Sequence, residues 1–266
     1  MRKRLIEISN SYRLPNLLLT VIFTAFMLGF GIYRSKSYTL RDSLDYYGLI
    51  IESILPLFFP ALVVLIFVTS FAGEIKHRFL VYTRTRRPIL ETLKIKQQAN
   101  IIITFIVFFL MIFIPFIYVF YIDPMMGKTV FYPEYYNLTK ENITQDTYNR
   151  HTFTNFLEYG KLIFGLTYST WVGINACLYA AITFQLVLLT RNTLLALSIP
   201  FIAYVVGSFT LSALKLQAFQ PNQVVFPLGH SQEPIWTSLL YITILLSILI
   251  VLNNLTKQKY LRGDES

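Results

Sequence analysis

Side chains able to do chemistry are few in this chain and widely scattered. Gly127-Lys128-Thr129 has the ending of a phosphate-cradling GxxxxGK[ST] loop, but the glycine due at position 122 is Ile122. The three histidines, His77, His151 and His230, stand far apart, with no paired spacing and no cysteine beside them, so no zinc site is spelled out. Cys177 is the sole cysteine, which excludes an intrachain disulfide; it falls in a row of small residues and reads as a packing residue. The long apolar stretches contain no histidine or aspartate, which removes both the serine and the aspartyl protease arrangements within them. The expectation is a chain that is not an enzyme and holds neither cofactor nor metal.

The elements that would have to position such groups are six long apolar stretches, about half of the 266 residues: Leu14 to Tyr33, Leu49 to Ala72, Asn100 to Ile122, Leu162 to Leu189, Thr193 to Leu214 and Ile235 to Leu252. Each meets or approaches the ~20 residues that a helix needs to cross ~30 Å of hydrocarbon. A composition of 55% hydrophobic, 16% aromatic and 14% charged residues is too apolar to clothe a water-facing surface. The predicted fold is therefore all-α, a polytopic membrane protein with six transmembrane helices forming a single domain over 1–266. One carboxylate lies inside the stretches, Glu52, in the first turn of its segment and expected to reach the interface.

Fifteen of the 23 Lys and Arg residues fall on one set of connections: Arg2, Lys3, Arg4 and Arg13, the seven between Lys76 and Lys96, Arg191, and Lys257, Lys259 and Arg262. The positive-inside bias then puts both termini and the 73–99 segment in the cytoplasm, and the 123–161 loop outside. Two sequons, Asn137-Leu138-Thr139 and Asn142-Ile143-Thr144, lie in that external loop. The +9 net charge is explained by anionic lipid at the cytoplasmic leaflet, and no nucleic-acid recognition element is visible. No small-residue cleavage site follows the first apolar stretch, so it is expected to be retained. Within 1–13, Leu5, Ile8 and Tyr12 share a face opposite most of the charges, which predicts a helix lying in the cytoplasmic interface.

The 73–99 segment is the most distinctive. Gly73-Glu74 closes the second stretch, then IKHRFLVYTRTRRPILETLKIK alternates apolar and basic residues before the third. Pro88 suits the start of a new helix, because the N–H it lacks has no helical partner there. An acidic residue at the end of span two and a basic loop before span three resemble the membrane (permease) subunit of type II ABC exporters. The resemblance extends to six spans, an amphipathic start and an apolar external segment, here 215–234 with Phe219, Val224, Val225, Phe226 and Leu228.

In that family the loop between spans two and three is a coupling helix that docks on the ATPase, a basic residue precedes span three, and short helices before the last span dip into the membrane. The resemblance places Glu74, the Arg84 to Pro88 stretch and Lys94 or Lys96 at the corresponding positions. A docking surface needs an apolar ridge and a charged rim; Leu80, Val81 and Tyr82 supply the first, Arg78, Arg84, Arg86 and Arg87 the second. The partners implied are two ABC ATPase subunits carrying ATP and Mg, a second permease copy or a related one, and membrane lipids, in a bacterial cell membrane.

In the fourth stretch, Gly165, Ser169, Gly173, Cys177 and Ala181 repeat every four residues and form a seam where another backbone can approach closely, within the subunit or across a dimer. Pro56, Pro60, Pro115 and Pro200 interrupt spans two, three and five and predict bends. Asn175, Gln185, Tyr168, Tyr179 and Tyr204 either line a path or hydrogen-bond between helices. With no ring of charge to mark an ion filter, the expected cargo is an amphipathic peptide, an antimicrobial or a lipid-like molecule. Two other classes fit six apolar helices: a non-transporting immunity or scaffold protein, and the substrate-capturing membrane subunit of a vitamin importer.

Overall fold

The computed structural model describes residues 14–76, 88–139, 141–229 and 231–262. Among these the chain is 82% helix with no strand, and six helical rods are long and apolar enough to cross a membrane. By length and composition this is a multi-pass helical membrane protein. The expected interfacial helix over 1–13 lies outside the described residues, as do 77–87 of the basic segment.

Helix α1 spans Leu14–Ser35. The second apolar stretch, expected to be one helix from Leu49, is instead divided. Helix α2, Ser43–Glu52, is capped by Asp42, which accepts the Asp45 amide at 2.9 Å. The chain then breaks at Ser53 and Ile54, and α3, Leu55–Val63, starts the membrane rod. Pro56 is the physical reason: it has no N–H to carry the hydrogen-bond ladder across from α2, and it is tolerated in the first turn of a new helix.

Pro60 and Pro115 act further along. Each is followed by a π-helical turn: Val64–Val68, which joins α3 to α4 (Thr69–Lys76), and Tyr118–Ile122, which ends α5 (Ile89–Ile117). A proline that cannot donate lets the ladder reset to a wider turn. The 123–161 connection holds two short helices, α6 (Asp123–Met126) and α7 (Ile143–Asn149). Helices α8 (Lys161–Leu189) and α9 (Thr193–Ala213) follow, with Asn192 capping α9 by accepting the Leu195 amide at 3.2 Å. A short α10, Pro221–Val225, precedes the last rod, α11, Ile235–Arg262, which runs well past its expected end at Leu252.

Helix α8 is the central rod, with 78% of its spanning window buried against 17% for α1, α9 and α11. Its glycines admit α5: a Cβ on Gly165 would fall 2.3 Å from the Phe116 ring, and one on Gly173 3.0 Å from the Phe105 ring. Cys177 Sγ donates to the Ile101 carbonyl of α5 at 3.3 Å, and Ser169 and Ala181 are fully buried. Rings fill the remaining space. Phe59 meets Phe108, Tyr179 and Phe226 edge-on at 5.3 to 5.5 Å, and Tyr47 meets Phe116, Phe120, Phe164 and Tyr168 edge-on at 5.8 to 6.2 Å.

The 215–234 segment folds back into the bundle. Val224, Phe226 and Leu228 are buried, and Trp171 Nε1 donates to the Val224 carbonyl at 2.8 Å. The long 123–161 connection does not stand free either. Phe153 packs 5.0 Å from Trp171, and the Tyr132 amide donates to the Leu40 carbonyl at 2.7 Å.

Candidate functional site

Charge gathers at the two ends of the bundle, and each end is built from helix termini. At one end, Glu74 lies in the last turn of α4 while α5 starts immediately after Pro88, whose carbonyl accepts the Glu91 and Thr92 amides. Lys96, two turns into α5, donates to Glu74 Oε2 at 2.7 Å. The lysine is only 3% exposed and the carboxylate 30%, so the pair is partly shielded from water and salt. It ties together the two helices from which residues 77–87 depart.

The basic residue opposite Glu74 is thus Lys96 and not Lys94, which is exposed. The reason is helical geometry: two residues turn about 200° around an α-helix, so only one of the two can face α4. The other predicted coupling residues, Arg78, Leu80, Tyr82, Arg84, Arg86 and Arg87, lie outside the described residues.

Beside this pair a crevice of about 420 Å³ runs between α5, α8 and α11, walled by Leu93, Lys94, Gln97, Gln185, Asn253 and Lys257. Gln185 donates to Gln97 at 3.1 Å and to Asn253 at 3.5 Å, joining all three helices. Lys259 Nζ caps α8, donating to the Leu188 carbonyl at 3.0 Å and the Leu189 carbonyl at 3.4 Å, where the helix dipole favours a cation. Nearer the middle, the Tyr179 and Tyr241 hydroxyls bond each other, and Asn175 donates to Trp171 of its own helix at 3.0 Å. The hydroxyls of Tyr168 and Tyr204 are buried without a hydrogen-bond partner.

At the opposite end, Arg150 is 7% exposed and meets three carboxylates. It reaches Asp45 at 2.6 Å and Asp42 at 3.0 Å, both at the start of α2, and Asp146 of α7. Thr147 adds a hydrogen bond to Asp42 at 2.6 Å, and Arg41 pairs with Asp45 at 2.8 Å. Burial pushes the Asp42 carboxyl up, but the hydrogen bonds and charge of Arg150, with help from Thr147 and the Asp45 amide, hold it below its ordinary value of 3.8. This network clamps the 123–161 connection onto α2.

In the sequence Arg150 is one basic residue of the 123–161 loop. The Asp146 to Arg150 spacing, i to i+4 on a helix, was a visible signal. Nothing in the sequence paired Arg150 with Asp42, which is 108 residues away. Among the described residues no cluster of His, Cys, Asp and Glu has the geometry of a metal site. Comparisons with protein-family models, with curated proteins and with solved structures returned no match.

Proposed function

We propose that this chain is the membrane subunit of an ATP-driven exporter, resembling the type II ABC class, with its Lys96 end facing the cytoplasm of a bacterial cell. The observation that carries the reading is the Glu74–Lys96 pair, which holds together the two ends of the strongly basic 77–87 segment. Among the described residues, π-helical turns occur only in the two rods joined by this segment, at Val64–Val68 and Tyr118–Ile122. Such widened turns are places where a helix bends or shifts register, which suits rods that relay a push across the membrane.

In this reading two ATPase subunits bind the basic segments of two copies of the chain, or of this chain and a related one. Leu80, Val81 and Tyr82 fill a groove on the ATPase, and Arg78, Arg84, Arg86 and Arg87 set the register. Closure of the ATPases on ATP rocks the paired bundles, and an amphipathic peptide, antimicrobial or lipid-like cargo leaves at the Arg150 end. All nucleotide chemistry belongs to the partner.

The test is affinity purification of the tagged chain from membranes of its own cell. A stoichiometric ATPase is expected with the wild type and is expected to be lost from the Arg84→Glu, Arg86→Glu, Arg87→Glu triple variant. An ATPase held equally by the triple variant overturns the docking assignment. Labelling of cysteines placed at positions 84 and 87 from outside intact cells overturns the orientation.

A further inference from the structure

Glu52 ends α2, and sequence reasoning expected it to reach the interface. Its Oε1 atom is instead buried with no hydrogen-bond partner. Gly229 is packed against the carboxylate so closely that a Cβ there would fall 2.3 Å from Oε2. Arg34 spends its guanidinium elsewhere, donating to Ser53 Oγ at 3.3 Å and to the Tyr38 hydroxyl and lying 5.1 Å over the Tyr38 ring, and Arg41 pairs with Asp45 at 2.8 Å. No ion pair with Glu52 forms among the described residues.

Two cavities meet at this carboxylate. One, of about 410 Å³, is polar and walled by Arg34, Arg41, Asp45 and His151 at the Arg150 end of the bundle. The other, of about 360 Å³, lies between α3, α9 and α10, with Leu57 and Phe209 among its walls. Those two side chains are 59% and 74% exposed on membrane-spanning helices, so this second cavity faces lipid.

The polar groups of the lipid-facing cavity are one carboxylate and several neutral hydroxyls and carboxamides. Besides the Glu52 carboxylate they include the Tyr204 hydroxyl and Asn222 Oδ1, both buried without a hydrogen-bond partner, and the hydroxyls of Ser208 and Ser212. No lysine, arginine or histidine is among the described residues that line it. The Glu52 carboxylate and Asn222 Oδ1 can only accept, acceptors left without a partner are costly away from water, and a donor-rich cation satisfies them together. An apolar chain attached to the cation continues along Leu57, Val205 and Phe209 to the lipid, and the cavity volume lies in the usual ligand range of about 300–1,000 Å³.

We propose that this cavity binds a cationic amphiphile, with the protonated amine on Glu52 and the apolar chain lying between α3 and α9. As the head-group site of an exported cargo it rests on the exporter reading; binding itself involves neither nucleotide nor a second subunit.

The experiment uses the full chain in phosphatidylcholine nanodiscs, titrated with radiolabelled dodecylamine and compared with empty nanodiscs. Saturable binding of one dodecylamine per chain is expected, weakened at least about tenfold in Glu52→Gln, the loss of one charge-assisted partner. Gly229→Ala keeps the carboxylate but displaces it, and is expected to weaken binding in the same direction while leaving the thermal unfolding transition in place. Dodecanol, with the chain but no charge, and ethylamine, with the charge but no chain, are expected not to compete.

Binding by both variants equal to wild type, competition by dodecanol or by ethylamine equal to that of unlabelled dodecylamine, or uptake that never saturates above empty nanodiscs overturns the proposal. Dodecylamine binding without ATPase co-purification removes the exporter reading alone, and the reverse pattern removes this site alone.

Discussion

The two ends of the bundle manage charge in opposite ways. At the Arg150 end one nearly buried guanidinium is shared by Asp42, Asp45 and Asp146, and Arg41 holds Asp45 a second time. At the Lys96 end the Lys96 ammonium pairs with the Glu74 carboxylate and connects α4 to α5. A shared network resists opening, because parting any one contact leaves the other charges desolvated around the same cation. A pair with one partner already 30% exposed can be hydrated on that side as it parts, at lower cost. The contrast is between an end held by a nearly buried network and an end whose pairing is partly open to water.

The sharpest way to break the contrast is Arg150→Met. Three carboxylates then lose their shared cation, and a loss of about 3–5 kcal/mol is expected, read as a large fall in the unfolding temperature of the purified protein. A loss below about 1 kcal/mol would mean that the clamp is not held by this network.

Next in size is the Glu74–Lys96 pair. Lys96→Met is expected to cost about 1–3 kcal/mol, less than Arg150→Met because Glu74 can take up water. The charge-swapped double variant, Glu74→Lys with Lys96→Glu, is expected to recover part of the loss, and a double-mutant cycle of unfolding free energies measures how much.

Acid offers a smaller and graded probe of the Arg150 end. Asp42 is held below 3.8 in the folded protein, so its pairing adds stability that is fully present above that value and is lost as the pH falls below it and the carboxyl takes a proton. Wild-type unfolding temperature is expected to decline through that window. In Asp42→Asn the decline is expected to be shallower, and an identical decline would show that the acid response comes from other groups. Smallest of all is Lys94→Ala, expected to fall within about 0.5 kcal/mol of wild type, because this exposed lysine is turned away from Glu74.

Parts of this architecture were legible in the residues. The six apolar rods were, since hydrocarbon demands length and apolarity that a sequence displays directly. So was the start of α5 after Pro88, and the trouble caused by Pro56, Pro60 and Pro115, because a missing N–H is a local fact. The form of that trouble was not: Pro56 opened a new helix, whereas Pro60 and Pro115 were absorbed by π-helical turns. Which choice prevails depends on how the flanking turns pack.

The pairing of Lys96 rather than Lys94 with Glu74 turned on a helix phase that the loop pattern left open. The Arg150 network joins residues 108 positions apart, and composition carries no trace of such a meeting. Glu52 was the plainest surprise. Its place near a span end suggested an easy escape to the interface, yet the fold lays Gly229 across it and leaves one oxygen without a partner.

What the sequence by itself determined is the solvent and the count of rods, because the cost of placing polar backbone and charge in hydrocarbon acts on each segment separately. Tertiary structure decided which few charges meet and which are left alone. Lys96 on Glu74, Arg150 among three carboxylates and Glu52 with no counter-ion among the described residues all depend on how helices distant in the chain are rotated and brought side by side, and Coulomb and hydrogen-bond energies fall off over a few ångströms.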